Sequence, residues 1–414
     1  MTGSPMRAGH RGARVRALPI AAALWLALVA PAAADTFNGR IAFSSVRTDP
    51  QAKEFDIFSM NPDGSDVRRL TTNPATDRQS DWSPDGTALA YTIRKPNSTI
   101  NFEVARMTAA GKGHRVLTMT GTGQASSQPA WAPDGRTILF RRSGPGRVST
   151  IWQMGLLGES PILRFAPPYA PLYPSWSPDR RRVAFAGIVS PTGDTDRGVF
   201  TMNADGSGFV ALFDVAGAYD SAPAWSPDGT KIAFESDADV AGANPDRDVE
   251  VWVMGADGSR PKQLTHNALR DEGPAWSPDG RQLAYTSGAD DTHGDIHVMT
   301  AGGRHLRRLT TYANADESPD WQAIPAARTD RRCGDLPLSR RQVLDVRSAG
   351  ARLSCRDTRG LARRWLAAGR PARVRGYAAV AKGFGGVRRV ELRHDDHGRR
   401  RIVTFLYQPA AAKP

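Results

Sequence analysis

Apolar positions in this chain come in runs of three to five residues rather than at helical spacing. "RIAF" (40–43), "ALAY" (88–91), "TILF" (137–140), "RVAF" (182–185), "KIAF" (231–234) and "QLAY" (282–285) each precede a second run ending in methionine. Those second runs are "DIFSM" (56–60), "EVARM" (103–107), "TIWQM" (150–154), "GVFTM" (198–202), "EVWVM" (250–254) and "DIHVM" (295–299). Short runs rich in Val, Ile, Phe and Tyr, bounded by Gly, Pro and Asp, predict β-strands. Turns such as "NPDGS" or "GADGS" follow, then a third run closing on "LT". A tryptophan strand leads each unit, at Trp82, Trp131, Trp176, Trp225, Trp276 and Trp321, spaced by 45–51 residues. Repeats of that period, with four strands each, predict a propeller or solenoid.

Tryptophan opens a recurring turn: WSPDG at 82–86, 225–229 and 276–280, WAPDG at 131–135 and WSPDR at 176–180. Proline supplies the fixed φ of the second position of a type I turn. Aspartate tolerates the third, and glycine takes positive φ at the fourth. The indole just before the turn offers a broad apolar face to a neighbouring unit. Arg180 stands where the glycine belongs, so a strained turn or one of another type is expected there. The six methionines keep a fixed place at a strand end and read as core rather than as metal or redox ligands.

The ends of the repeat region complement each other. "RIAF" at 40–43 has no tryptophan strand before it, and Trp321 in "SPDWQAIP" has no hairpin after it. Pairing the two completes a sixth blade and closes the ring, the radial way of protecting sheet edges. The expected fold is all-β: a six-bladed β-propeller over 35–324, closed by N- and C-terminal strands in one blade, followed by a small basic α+β module. The repeat resembles the TolB-type, WD-repeat-like β-propeller family, whose unit reads roughly P-x-W-S-P-D-G, I-A-F, I-Y-V-M, D-G, L-T. That resemblance covers the propeller part and implies a periplasmic binding role. The family's namesake carries an N-terminal domain, whereas here the extra module is C-terminal.

Residues 1–34 read as a secretory signal. Arg7, Arg11, Arg14 and Arg16 lead into the apolar stretch 17–30, and Ala32 and Ala34 precede Asp35 in A-x-A fashion. About fourteen apolar residues fall short of the roughly 20 that a membrane span needs. A secreted or cell-envelope location follows as an expectation.

Charge divides the chain. Of the net +13, the stretch 325–414 carries 22 Lys and Arg against seven Asp and Glu, while the propeller has 29 basic and 35 acidic residues. Both cysteines, Cys333 and Cys355, lie in the basic stretch, and in an exported protein such a pair predicts a disulfide. "VLDVRSAG" (343–350) reads as a strand and Ser354 as the cap of a helix reaching about Ala368. The stretch 387–407 reads as a hairpin around "DDHG". Arg356, Arg359 and Arg363 at helical spacing, with Arg399, Arg400 and Arg401, form a candidate contact for an anionic cell-surface polymer. Nucleic acid is the less expected polyanion outside the cell.

Motifs for chemistry are missing. There is no G-x-S-x-G elbow, P-loop, dinucleotide glycine motif or C-x-x-C. "DDTHGDIH" around His293 and His297 and "HDDH" at 394–397 read as solvated loops, and Ala241 and Pro245 spoil calcium-loop spacing in 237–248. No catalytic residue, metal ligand or resident cofactor is assigned.

Binding is expected instead on the face built from the long, variable loops. Five positions before the tryptophans stand Asp77, Ser126, Pro171, Asp220, Asp271 and Asp316, with Glu272 and Glu317 adjoining two of them. If Asp77, Asp220, Asp271 and Asp316 converge at a channel mouth, a cation such as calcium or a basic peptide end is a favoured guest. The competing reading is that each caps its own turn. Two functions are carried forward. One is a monomeric binding or scaffold protein engaging a protein or peptide. The other is a propeller hydrolase or lyase acting on a glycan or lactone.

Overall fold

The computed structural model describes residues 36–325 except 48–53, 95–100, 146–148, 159–160, 166–169, 189–195, 241, 290–292 and 313. Beyond 325 it describes strands lying within 331–408. Residues 36–325 form six four-stranded antiparallel sheets, arranged as the blades of a propeller. Blade 1 runs Asp77–Trp82, Ala88–Arg94, Phe102–Thr108 and Arg115–Val116, from inner to outer strand. Blades 2 to 5 repeat this from inner strands Ala125–Trp131, Pro171–Trp176, Asp220–Trp225 and Arg270–Trp276. Blade 6 is composite. Its inner strand, Asp316–Pro325, pairs with Thr36–Ser45, which continues to Asp56–Met60 and Arg68–Arg69. The register Ile41↔Trp321 and Ser45↔Asp316 closes the ring between the two ends of the repeat region.

Each short hairpin follows from its turn chemistry. The Gly86 amide donates to the Ser83 carbonyl (2.8 Å), and the Asp85 carboxylate accepts from the Thr87 amide (3.0 Å). Arg180 keeps the same turn. Its amide donates to Ser177 O at 2.9 Å, and its φ of +63° matches the +67° to +70° of Gly86, Gly135, Gly229 and Gly280. Of the two expectations for Arg180, the strained turn is the one found and the turn of another type is corrected. Ring-wide repetition fixes the turn type, and the arginine occupies left-handed backbone, held also by an ion pair with Asp134.

The core lies between blades. Trp82 packs with Leu89 and Met107 of its own blade and with Ala42 and Ile57 of blade 6. Trp276 likewise meets Ala233 and Val251 of blade 4. Met60, Met107, Met154, Met202, Met254 and Met299 are all buried. Stability thus depends on neighbours, and each blade completes the next.

The segment 331–408 contributes a seven-stranded antiparallel sheet, including Arg341–Ala349 and the hairpin Val387–Asp396 with Arg399–Gln408. Cys333, Cys355, Arg356, Arg359, Arg363 and the helix expected after Ser354 lie outside the described residues. Arg399, Arg400 and Arg401 open the last strand.

Candidate functional site

The wall of the central channel is built by the six inner strands. In every blade the pairing of inner strand with second strand slips just before the tryptophan, for example between Arg78 and Asp81 and between Glu272 and Ala275. At this bulge the residue three before the tryptophan is left-handed: Gln79, Gln128, Tyr173, Ala222, Gly273 and Ser318, with φ of 47–60°. Five of the six are not glycine, and such a conformation costs roughly 1–2 kcal/mol each. The preceding blade holds the turned amides. Gln128 N donates to Thr92 Oγ1 (3.0 Å), Tyr173 N to Gln128 Oε1 (2.9 Å), Gly273 N to Glu235 Oε2 (2.7 Å) and Ser318 N to Thr286 Oγ1 (3.0 Å). Blade contacts offset the local strain at this ring of bulges.

Where the inner strands end, the channel widens into a cavity of about 910 Å³. The six tryptophans, the prolines of the short turns (Pro84, Pro133, Pro178, Pro227, Pro278) and the bulge residues line it. It opens beside the short turns, away from the long loops at which the inner strands begin. Among the described residues its lining contains no Lys, Arg, His or Cys and four carboxylates, Asp81, Asp85, Asp134 and Asp320. Asp134 is paired with Arg180.

Asp81 and Asp320 sit one position before their tryptophans in neighbouring blades, where the other blades carry Ala or Ser. Asp320 Oδ2 accepts from Trp82 N and Asp81 Oδ2 from Trp131 N, both at 2.6 Å. Each bond ties one blade to the next. Burial in the apolar funnel pushes the Asp320 carboxyl up to about 7. Burial, reinforced by the Asp320 charge, raises Asp81 well above the usual carboxylate range.

Further along the channel lies a second charged group. Burial, with the Glu272 charge, pushes the Glu235 carboxyl up to about 7. Burial with Glu235, and the charges of Glu317 and Glu272, pushes the Tyr173 phenol up to about 12 against the opposing Arg197. Arg78 reaches Glu317 at 3.5 Å, and Arg270 pairs with Glu272.

The residues expected at a mouth are distributed differently. Asp77, Asp220, Asp271 and Asp316 are fully buried, and none lines the cavity. Asn73 donates to Asp77 (2.6 Å) and Asn267 to Asp271 (2.7 Å); Ser236 donates to Asp220 (2.5 Å) and Arg47 to Asp316 (2.5 Å). These bonds organise loops: the carbonyl oxygens of Asn73 and Asn267 take the amides of Ala75 and Leu269 in turn. Among the described residues no three His, Cys, Asp or Glu side chains form a group able to hold a metal ion. Of the six acids singled out, Glu272 and Glu317 belong to the charged group around Tyr173. The residues missed by sequence reasoning are Asp81, Asp320, Glu235 and Tyr173. The first two were visible as the only acids directly before a repeat tryptophan.

No protein-family model matches the chain. An uncharacterized protein of Agrobacterium fabrum is 30% identical over 179 residues, covering 42% of this chain and 59% of that protein. The chain thus matches little more than half the length of this curated relative. Among solved structures, TolB from Acinetobacter baumannii superposes with a TM-score of 0.56 at 20% identity, over 69% of this chain and 66% of that one. The chain thus shares its propeller fold with that TolB. The hydrazine synthase of Kuenenia stuttgartiensis is also similar, with a TM-score of 0.55 at 12% identity over 70% of this chain and 47% of that one. The propeller fold is therefore shared by proteins of different names, and function rests on the site.

Proposed function

We propose that this protein is a binding or scaffold protein of the cell envelope whose axial cavity receives a basic segment of a protein or peptide partner. The observation that carries the reading is the cavity itself. Indole and proline walls suit a partly apolar guest, and among the described residues the charged lining is acidic only, so a Lys or Arg side chain or an amino terminus gains both ion-pair and cation–π partners. Asp81 and Asp320 are the residues assigned to the cationic group. The basic stretch 325–414, through Arg356, Arg359, Arg363 and Arg399–401, is assigned to an anionic polymer of the same compartment. The signal-like residues 1–34 support export.

A specific observation favours a second reading, a glycan or lactone hydrolase. Two neighbouring carboxylates with raised pKa are the raw material of acid–base catalysis. Against it, each already spends an oxygen on a tryptophan amide at 2.6 Å.

Peptides selected by display on the full-length protein and titrated by calorimetry test the binding reading. Lys- or Arg-bearing sequences are expected. Their affinity should fall at least about tenfold in Asp81→Asn/Asp320→Asn and in Ser175→Trp, which puts a bulky indole into the cavity wall; tenfold is about 1.4 kcal/mol. Peptides insensitive to both variants would contradict the assignment. Turnover of glycan or lactone substrates, lost in the double Asn variant, would favour the enzyme.

A further inference from the structure

The repeat offers an internal comparison at the junctions between blades. At four of them the third strand of one blade carries an acid as its first or second residue: Asp56, Glu103, Glu250 and Asp295. A threonine from the following outer segment sits against each. Ile57 N, Val104 N, Val251 N and Ile296 N donate to Thr71, Thr118, Thr265 and Thr310 Oγ1, all at 2.9 Å. At three of these junctions the next blade adds a buried aspartate: Asp77, Asp271 or Asp316.

Two buried carboxylates need a cation, and two of the three junctions have one. Arg69 pairs with Asp56 at 2.8 Å and Arg308 pairs with Asp295. Both also donate from Nε to the threonine carbonyl, at 2.7 and 2.9 Å. Arg47 pairs with Asp316 as well. Val116 occupies the arginine position where Glu103 faces Ser126 and the pocket holds a single acid. Between blades 4 and 5 the position is Gln263. Its Nε2 reproduces the bond to the threonine carbonyl at 2.9 Å, but it brings no charge to Glu250 and Asp271.

The hydrogen bonds there do not balance. Glu250 Oε2, Asp271 Oδ1 and Gln263 Oε1 are buried without a partner, and these residues are 1%, 0% and 6% exposed; Asp77 Oδ1 and Asp316 Oδ1 share that state at the arginine-bearing junctions, so Glu250 Oε2 and Gln263 Oε1 are what sets this junction apart. All three atoms are acceptors. Asn267 is committed on both sides, N to Glu250 Oε1 (3.0 Å) and Nδ2 to Asp271 Oδ2 (2.7 Å), which leaves only the Thr265 and Ser287 hydroxyls beside the pair as donors for the three remaining acceptors. An unmatched acceptor costs about 1–3 kcal/mol, more when charged. Only an added donor relieves acceptors that face one another.

We propose that the junction between blades 4 and 5 is a proton-binding site, in which one exchangeable proton shared by Glu250 and Asp271 stands in for the arginine of the sister junctions. The proton turns one carboxylate into a donor and removes one of two buried like charges. Burial is the leading cause that pushes Glu250 up to about 8 and raises Asp271; the Asp271 charge and that of Asp248 add to the effect on Glu250. Thr265, Asn267 and Ser287 oppose it by hydrogen bonding. The other groups facing the pair are His297, whose imidazole burial keeps below its ordinary pKa, and Tyr285, whose phenol is raised. The native state therefore holds a proton that the unfolded chain, with ordinary carboxyls, gives up near pH 4. Stability from this site is full below that pH and is lost as pH rises towards 8.

The test compares melting temperatures of the full-length wild type, Gln263→Arg and Glu250→Gln from pH 5.5 to 9 with a metal chelator present. Other buried acids titrate in all three proteins and cancel in the differences. Gln263→Arg restores the fixed cation and Glu250→Gln the fixed donor. Each should gain on wild type as pH rises, by at least about 2 °C across the range. Should one variant fail to fold, the other carries the comparison. Parallel profiles for wild type and the folded variants would overturn the proposal. So would a wild-type gain at pH 8.5 on adding millimolar calcium that Gln263→Arg lacks, because the site would then take a metal ion.

Discussion

Identical turn residues do different work once the ring places them against different neighbours. Gly86 and Gly135 share the turn and nearly the same φ, +68° and +67°. A Cβ at Gly86 would run into the Ala323 carbonyl of blade 6, whereas at Gly135 the nearest atom is Pro84 Cδ at 4.0 Å. Alanine at either position carries the left-handed penalty of roughly 1–2 kcal/mol. Gly86→Ala should exceed Gly135→Ala by a further 1 kcal/mol or more, read as the difference in denaturant midpoints at equal m-value, since backbone cannot yield as a side-chain end does. Equal costs would mean that blade 6 does not press on that turn. At this scale the sequence was informative for the turn and the tryptophan. For the aspartates it left two readings open, a converging ring and the capping of each turn, and the Asn73–Asp77 and Asn267–Asp271 spacings were the clue to the loop bonding seen. The left-handed bulge residues left no signature. Gln, Tyr, Ala, Gly and Ser share no propensity, and bonds from the neighbouring blade impose their conformation.

At the level of strands, the outer edges are unequal. Blades 1, 4, 5 and 6 end in two-residue strands: Arg115–Val116, Lys262–Gln263, Arg307–Arg308 and Arg68–Arg69. Blades 2 and 3 end in four-residue strands, Ile162–Phe165 and Val210–Phe213, with Ile162, Leu163 and Val210 exposed. Short, cationic edges discourage edge-to-edge pairing, and longer apolar ones invite it. Ile162→Lys/Val210→Lys should therefore slow aggregation on heating, followed by light scattering, with a melting temperature within about 2 °C of wild type, as fits exposed positions. Faster aggregation would show these strands to be sealed by something else in the chain. Strand order was legible because the apolar runs recur in the same sequence. The unequal edge lengths were not, since "PILRF" and "FVALF" differ from "RRL" only in how many residues the third strand can pair.

For the whole molecule, the complementary ends of the repeat region foretold the composite sixth blade, and the register Ile41↔Trp321 realises it. The binding face was less legible. Loop length pointed to the end of the channel where the inner strands begin, while the cavity opens where they finish, walled by residues that the repeat uses for packing. A residue that packs between blades and lines an axial cavity looks, in sequence, like core alone. Hydrogen–deuterium exchange of the full-length protein with and without a selected basic peptide decides between the two ends. The account predicts added protection in the inner strands around 128–131, 173–176 and 318–321, and unchanged exchange in the long loops at 72–76, 265–269 and 311–315. Protection confined to those loops, with the inner-strand ends unchanged, would contradict it.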